Sequence, residues 1–167
     1  MRGSSINIQL ASRYSDFMMP LEGIRVLDLS RILAGPHAAQ SLSDLGADVI
    51  KVEAPWGDDS RTWGPPFQKG FDGAEVASYF LSCNRGKKIV FANLKNERER
   101  VRSLMDTVDV VIENFKPGAF DRLLGPVNAD LIVCSISGYG QEGPRRDEPA
   151  FDLTMQARSG IMSVTGE

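Results

Sequence analysis

Apolar and polar positions form blocks of different period along the chain from residue 20 onward. Two near-continuous apolar runs come first, Ile24–Leu29 and Val49–Val52. Between them, apolar residues recur at intervals of three and four positions, which predicts a helix that begins near Pro36 and ends at Gly46. Two strands joined by one crossover helix lie parallel, so this stretch is predicted to be a βαβ unit.

The turn after the first strand is where a ligand is first expected. Ligands of parallel sheets collect beyond the carboxyl ends of the strands. Ala34 and Gly35 are small enough for a ligand to approach the backbone beside the partly positive start of the helix.

The rest of the chain continues the alternation of strands and helices. Further strands are predicted at Ile89–Phe91, Val110–Ile112 and Leu131–Cys134, and further helices at Val76–Cys83, Glu97–Asp106 and Phe151–Ser163. This order predicts an α/β fold with a parallel, doubly wound sheet. Because such a sheet is covered on both faces, all five strands are predicted to be buried.

Two segments do not fit the alternation. Residues 1–19 have no clear period and are interpreted as a flexible extension or tag, or as a weak mitochondrial presequence, so the domain is taken as residues 20–167. The polar segment Ala54–Gly73 is long for a loop inside a domain. Its two tryptophans, Trp56 and Trp63, indicate that it folds over the domain, either as a lid or wall of a pocket or by simple packing.

Composition excludes several classes of protein. A net charge of -3 argues against a general nucleic-acid binder, and no apolar run approaches the length of a membrane span. Cys83 and Cys134 both lie in apolar runs without metal-type spacing, so we expect buried free thiols in a reducing compartment: the cytoplasm, or the mitochondrial matrix if the source is eukaryotic. With His37 as the single histidine, expected on a helix surface, no zinc site is predicted.

The candidate chemistry consists of cations near strand ends and one carboxylate. The sequence has neither a dinucleotide-binding fingerprint nor a P-loop. The cations are either a site for a phosphorylated ligand or ordinary solvated charges; they are Arg31, Lys87, Lys88, Lys95, Lys116 and Arg122. Asp152 follows a glycine-rich loop at the start of a predicted helix, where it acts either as the helix N-cap or as a carboxylate nucleophile or base.

An ordered set of segments resembles the N-terminal portion of the family III coenzyme A transferases, the CaiB/BaiF family that is typified by formyl-CoA transferase. The segments are Pro20–Leu29, Arg31 with Leu33–Pro36, Leu45–Glu53, Asp58–Asp59 with Arg61, Asn84–Arg85 with Lys87–Lys88, Glu113–Gly118, Ser135–Gln141 with Gly143–Pro144, and Phe151–Asp152 with Gln156, Ser159–Gly160 and Thr165–Gly166. The segment Trp63–Phe67 is most similar to the dicarboxylate branch, which acts on acids of the succinate and glutarate type.

The resemblance implies a Rossmann-like large domain, coenzyme A or acyl-CoA and a carboxylic acid as substrates, no metal, no nucleic-acid or membrane partner, and an interlocked homodimer. It also implies transfer through a covalent aspartyl intermediate, with Asp152 as the candidate nucleophile. The contacts with CoA are expected at Ile32, Leu33, Ala34, Ala92, Lys95, Asn114, Phe115 and Arg122. Leu33 stands where some members carry a glutamine near the reacting acyl group, so that polar role does not carry over.

Three departures from the family pattern keep alternatives open. Family members are more than twice as long, which predicts a truncated large domain with much exposed apolar surface and allows a non-catalytic fragment that binds CoA or dimerises. Leu124–Asp130 is short and lacks the histidine of the related acyl-CoA racemases, which counts against that activity. In some transferases the nucleophilic aspartate lies beyond the position of Glu167, so the nucleophile is either Asp152 or a later residue.

Overall fold

The computed structural model describes residues 18–70 and 73–166. Its strands, in chain order, are β1 Arg25–Asp28, β2 Asp48–Glu53, β3 Phe67–Lys69, β4 Glu75–Ala77, β5 Lys88–Phe91, β6 Val110–Glu113 and β7 Ile132–Ser135. Its helices are α1 Ala34–Asp44, α2 Ser78–Asn84, α3 Arg98–Met105, α4 Ala119–Leu124, α5 Asp152–Ser159 and α6 Ile161–Thr165, with a short 3-10 helix at Asp59–Thr62. The interpretation of residues 1–19 as a flexible extension lies outside the described residues, except for Met18 and Met19.

Five strands form one parallel sheet in the order β5-β2-β1-β6-β7. All four neighbouring pairs are parallel, and β1 pairs with β2 from Arg25 opposite Asp48. The prediction of a parallel α/β sheet is therefore confirmed. Because the chain builds outward from β1 in one direction and from β6 in the other, the sheet has a topological switch point between β1 and β6, where open α/β sheets bind ligands.

The core lies on both faces of this sheet. On one face, Leu27 and Val111 pack with Val101 of α3 and Leu124 of α4, and all four are fully buried. On the other face, Val26 and its neighbours pack against the buried residues of α1. Helices thus cover both sides of the central strands, as the alternating pattern predicts.

The edge strands depart from the prediction that all five strands are buried. Phe91 at the end of β5 is 50% exposed and Ile132 in β7 is 62% exposed, because these strands lie at the borders of the sheet, where the covering helices end. Cys134 shares the exposed face of β7 with Ile132, whereas Cys83 is buried. Both cysteines are free thiols, but the prediction that Cys134 is buried was wrong.

Two predicted helices have different bounds in the structure. Val76 pairs with Gln68 in the β3–β4 hairpin, so the second helix begins only at Ser78. The helix predicted at Phe151–Ser163 is divided at Gly160, whose φ of +81° is a left-handed conformation that ends α5. The helix α4 was not predicted. Among the described residues, no helix has the length and apolar character needed to cross a bilayer.

Candidate active site at the sheet switch point

Asn114 joins the loops that follow β1 and β6. Its Oδ1 accepts a hydrogen bond from the backbone N–H of Arg31 at 2.9 Å, and its Nδ2 donates to the carbonyl of Arg31 at 2.8 Å. Both main-chain groups of Arg31 are therefore held by one side chain from the neighbouring strand. This bidentate contact fixes the two carboxyl-terminal loops at the switch point relative to each other.

The next residue, Ile32, has a strained backbone. Its φ is +72°, and among the residues that the structure describes Ile32 is the only non-glycine residue in the left-handed region. A β-branched side chain disfavours that region. Such strain costs on the order of 1–3 kcal/mol and persists only where the surroundings enforce it. The N–H of Ile32 donates to Oδ2 of Asp58 at 3.1 Å, so this carboxylate helps to hold Ile32 in its strained conformation.

Asp58 is buried and its carboxylate is fully engaged. Oδ1 accepts from the backbone N–H of Ser60 at 3.0 Å and from its hydroxyl at 2.7 Å, and Lys51 Nζ lies 3.2 Å from Oδ2. Burial alone would raise the pKa of Asp58, but the hydrogen bonds from Ser60 and Ile32 and the charge of Lys51 lower that pKa overall. Asp58 is therefore held as an anion beneath the β1–α1 loop.

Two buried lysines complete the ion network under this loop. Lys51 also donates to the carbonyl of Ser30 at 2.8 Å, and its Nζ lies 3.9 Å from Asp28. Lys87 Nζ donates to Asp28 at 2.8 Å, to the carbonyl of Pro36 at 2.8 Å and to Oδ1 of Asn84 at 3.0 Å. Burial lowers the pKa of Lys87, and the adjacent carboxylate of Asp28 partly offsets that effect.

These contacts correct the interpretation of three residues. Lys87 uses all three of its ammonium donors inside the protein, so it is not available to a phosphorylated ligand. Lys88 pairs with Asp48 at the opposite end of the sheet, 2.7 Å away. At Gly35, an added Cβ would come within 2.2 Å of the side chain of Ser30, so its small size serves the packing of α1 on the loop rather than the approach of a ligand.

The segment after β2 is tied to the same end of the sheet. Arg61 forms a bidentate pair with Glu53, with Nε–Oε2 at 2.6 Å and Nη2–Oε1 at 2.8 Å, and its guanidinium stacks 3.9 Å from the ring centroid of Phe80. Bidentate pairs of this kind combine energy with a fixed orientation. Of the two interpretations of Ala54–Gly73, this anchoring favours the wall of a pocket.

Two adjoining cavities open on the switch point. One, of about 250 Å³, lies between this segment and the loops after β5 and β6 and is lined by Ala92, Lys95, Phe115 and Trp56, among others. The second, of about 440 Å³, is lined by Ile32, Asn114, Phe115, Lys116 and Arg122, among others. Arg31, Phe115 and Leu123 line both cavities, so the two share a wall.

Six of the eight residues expected to contact CoA line these cavities, and the other two, Leu33 and Ala34, do not. Leu33 and Ala34 are exposed at the first turn of α1. Sequence reasoning missed the supporting network of Asp28, Lys51 and Asp58. A signal was present, because a lysine inside the apolar run Val49–Val52 must find a buried carboxylate.

Asp152 lines neither cavity. It is the first residue of α5, it is exposed, and its carboxylate accepts a hydrogen bond from Gln156 Nε2 at 2.5 Å. The N-cap position belongs to Phe151, so the interpretation of Asp152 as the helix cap was wrong. Burial raises the pKa of Tyr79, and electrostatic interactions with Cys83, Asp152 and Asp58 add to that effect. Tyr79 in turn packs on Trp63, with ring centroids 5.6 Å apart.

Comparison with known proteins decides the family. Residues 21–167 match the family model described as CoA-transferase family III. The chain belongs to this family. It is 50% identical over 158 residues to a succinate–glutarate CoA-transferase of Agrobacterium fabrum and 47% identical over 160 residues to a succinyl-CoA:glutarate CoA-transferase of Mus musculus. These alignments cover 89% and 90% of the chain but 40% and 36% of the relatives, respectively.

A solved structure of the family has the same fold. A crystal structure of a CaiB/BaiF family protein from Brucella suis superposes with a TM-score of 0.84 at 50% identity, covering 89% of this chain and 41% of the other. This member of CoA-transferase family III thus spans about two fifths of the length of the relatives it matches.

Proposed function

We propose that this chain supplies the CoA site of a CoA-transferase that moves coenzyme A between carboxylic acids, and that residues 20–167 are the N-terminal part of its large domain. The observation that carries the proposal is the pair of adjoining cavities at the switch point, together with the family membership. Four of the cations that line them lie outside the buried ion network: Arg31, Lys95, Lys116 and Arg122.

The lining suits the chemistry of coenzyme A. Its phosphate groups call for cations, which Lys95, Lys116 and Arg122 supply. Its adenine ring calls for flat apolar surfaces, which Phe115 and Trp56 supply. None of the carboxylates that line the cavities is both free and exposed, so none of them is proposed to react with the acyl thioester. Glu53 and Asp58 are buried in ion pairs, and Asp59 pairs with Arg31.

For the acids, we propose succinyl-CoA as donor and a dicarboxylate such as glutarate as acceptor. The names of the relatives from Agrobacterium fabrum and Mus musculus support this choice, as does the resemblance of Trp63–Phe67 to the dicarboxylate branch. The racemase alternative gains no support from these names.

The proposed reaction begins at the carboxylate of Asp152. One of its oxygens attacks the thioester carbonyl, the C–S bond breaks, CoA leaves as a thiolate, and an acyl–aspartyl anhydride forms. The thiolate then attacks the aspartyl carbonyl, which releases the donor acid as its carboxylate and leaves an aspartyl–CoA thioester. The acceptor carboxylate repeats both steps in reverse order, and Asp152 is regenerated as a free carboxylate.

Trapping tests this assignment in the complete gene product. Hydroxylamine added during turnover of succinyl-CoA should leave a hydroxamate on Asp152, detected by peptide mass spectrometry. Asp152→Asn should abolish exchange, whereas the neighbouring surface variant Asp147→Asn should retain it. Turnover retained by Asp152→Asn would assign the nucleophile to another residue, including any beyond Glu167.

Two other outcomes would change the proposal itself. Exchange of the substrate α-proton with deuterated water, without CoA transfer, would identify a racemase. CoA binding without either activity would identify a binding or dimerising chain. We also propose that the complete product is a homodimer, as the resemblance implies, and sedimentation equilibrium tests that state.

A further inference from the structure

The β1–α1 loop is held at two successive residues by side chains from two different parts of the fold. Asn114 holds both backbone groups of Arg31, and Asp58 accepts the N–H of Ile32. The two anchors differ in what they hold, because Arg31 has no positive φ, whereas Ile32 is in the left-handed region. The contact from Asp58 is therefore made to the strained residue itself.

Asp58 cannot easily give up this contact. Ser60 fixes its Oδ1 through two hydrogen bonds, its own N–H donates to Glu53 at 3.0 Å, and Lys51 neutralises its charge from below. Glu53 is in turn held by an ion pair with Arg61. A carboxylate fixed on all sides is a rigid acceptor, and a rigid acceptor is what keeps a β-branched residue in a conformation that it would otherwise leave.

We propose that Asp58 is a positioning residue that holds Ile32 in its left-handed conformation and thereby shapes the CoA cavity that Ile32 lines. The inference rests on the proposed function, since CoA is the ligand whose affinity reports that shape. Asp58 acts through the backbone of Ile32 and does not itself need to touch CoA.

A double-mutant cycle on CoA binding tests the proposal. Calorimetric titration with CoA compares the wild-type chain, Asp58→Asn, Ile32→Gly and the double variant. Asp58→Asn should weaken binding by about tenfold or more, because a hydrogen bond to an ionised acceptor is lost where strain opposes it. In the Ile32→Gly background the same substitution should cost less than about threefold, because glycine adopts positive φ freely and needs no anchor.

A control and a second variant guard against general destabilisation. Asp48→Asn removes a carboxylate from an ion pair at the opposite end of the sheet and should leave CoA affinity within about twofold. If Asp58→Asn does not fold, Ser60→Ala loosens the carboxylate of Asp58 without removing its charge. Its smaller loss of affinity should again shrink in the Ile32→Gly background.

The outcomes separate the two proposals. Equal losses in the isoleucine and glycine backgrounds, or no loss in either, would overturn the positioning role while leaving the CoA site intact. Failure of the wild-type chain to bind CoA at all would instead overturn the proposed function on which this inference rests.

Discussion

The loop after β1 and the helix pair α5–α6 both present candidate functional residues, but they are held in opposite ways. Under the loop, Asp28, Lys51 and Lys87 are fully buried and come from parts of the sequence up to 59 residues apart. In α5 and α6, all of whose residues lie in the described part of the chain, every side chain is at least partly exposed. Most of their polar contacts are local, such as the hydrogen bond between Gln156 and Asp152.

The difference indicates that these residues are preformed for the CoA-binding part of the proposed chemistry and not for the transfer step. Groups that bind a large ligand must be rigid before the ligand arrives, and buried ion pairs joining several elements provide that rigidity. Asp152, by contrast, lies in the helix pair α5–α6, where Leu153 of α5 and Val164 of α6 are 69% and 82% exposed and Phe151, just before α5, is 73% exposed. The large contiguous apolar surface expected of this chain remains a prediction, and these three side chains are where we expect it.

The largest effect should come from breaking the ion network. Lys51→Met leaves Asp28 without one of its two lysines and Asp58 without a cation, both in the buried interior. Removing one partner of a buried pair costs about 3–5 kcal/mol of unfolding free energy. Urea denaturation followed by circular dichroism measures that change.

Lys88→Met is the matched control for Lys51→Met. Lys88 occupies the adjacent strand, pairs with Asp48, and is 69% exposed, so its loss should cost at most about 1 kcal/mol. Equal destabilisation by the two variants would show that burial does not distinguish these ion pairs.

Some elements of this contrast could be predicted from the sequence, and others could not. The central strands could be predicted because Val26, Leu27 and Val111 lie in continuous apolar runs that only a covered parallel sheet accommodates. The exposure of Ile132 and Cys134 could not, because their run looks the same and only the strand order reveals which strands are edges. Sequence alone also does not reveal the strain at Ile32, because nothing in the local sequence marks an isoleucine with positive φ.

The fall of the unfolding free energy at acid pH should depend in part on Asp58. Its pKa in the folded protein is below its ordinary value of 3.8, so near that pH the unfolded chain binds more protons than the folded one. The stabilising contribution is complete above about pH 5 and is lost as the pH falls through the folded-state pKa. Unfolding free energies measured from pH 6 to pH 2 should fall less steeply for Asp58→Asn than for the wild type, and parallel curves would contradict this account.

The smallest effect is expected on the exposed helix pair. Phe151→Ala removes a side chain that is 73% exposed and should change the unfolding free energy by no more than about 0.5 kcal/mol. Phe120→Ala, at a phenylalanine of α4 that is 7% exposed, should cost about 3–5 kcal/mol. Thermal melts of the two variants make the comparison, and a large loss in Phe151→Ala would mean that α5 is buried in the protein in solution.

The central claim is that the switch-point cavities bind the coenzyme and that Asp152 does not. Calorimetric titration with CoA tests this claim on one variant in the cavities and one at Asp152. Arg122→Ala removes a cation that lines the larger cavity, so we expect affinity to fall by about tenfold or more. Asp152→Asn changes an exposed carboxylate that lines neither cavity, so we expect affinity to stay within about twofold. Unchanged binding in Arg122→Ala together with a tenfold loss in Asp152→Asn would contradict the account.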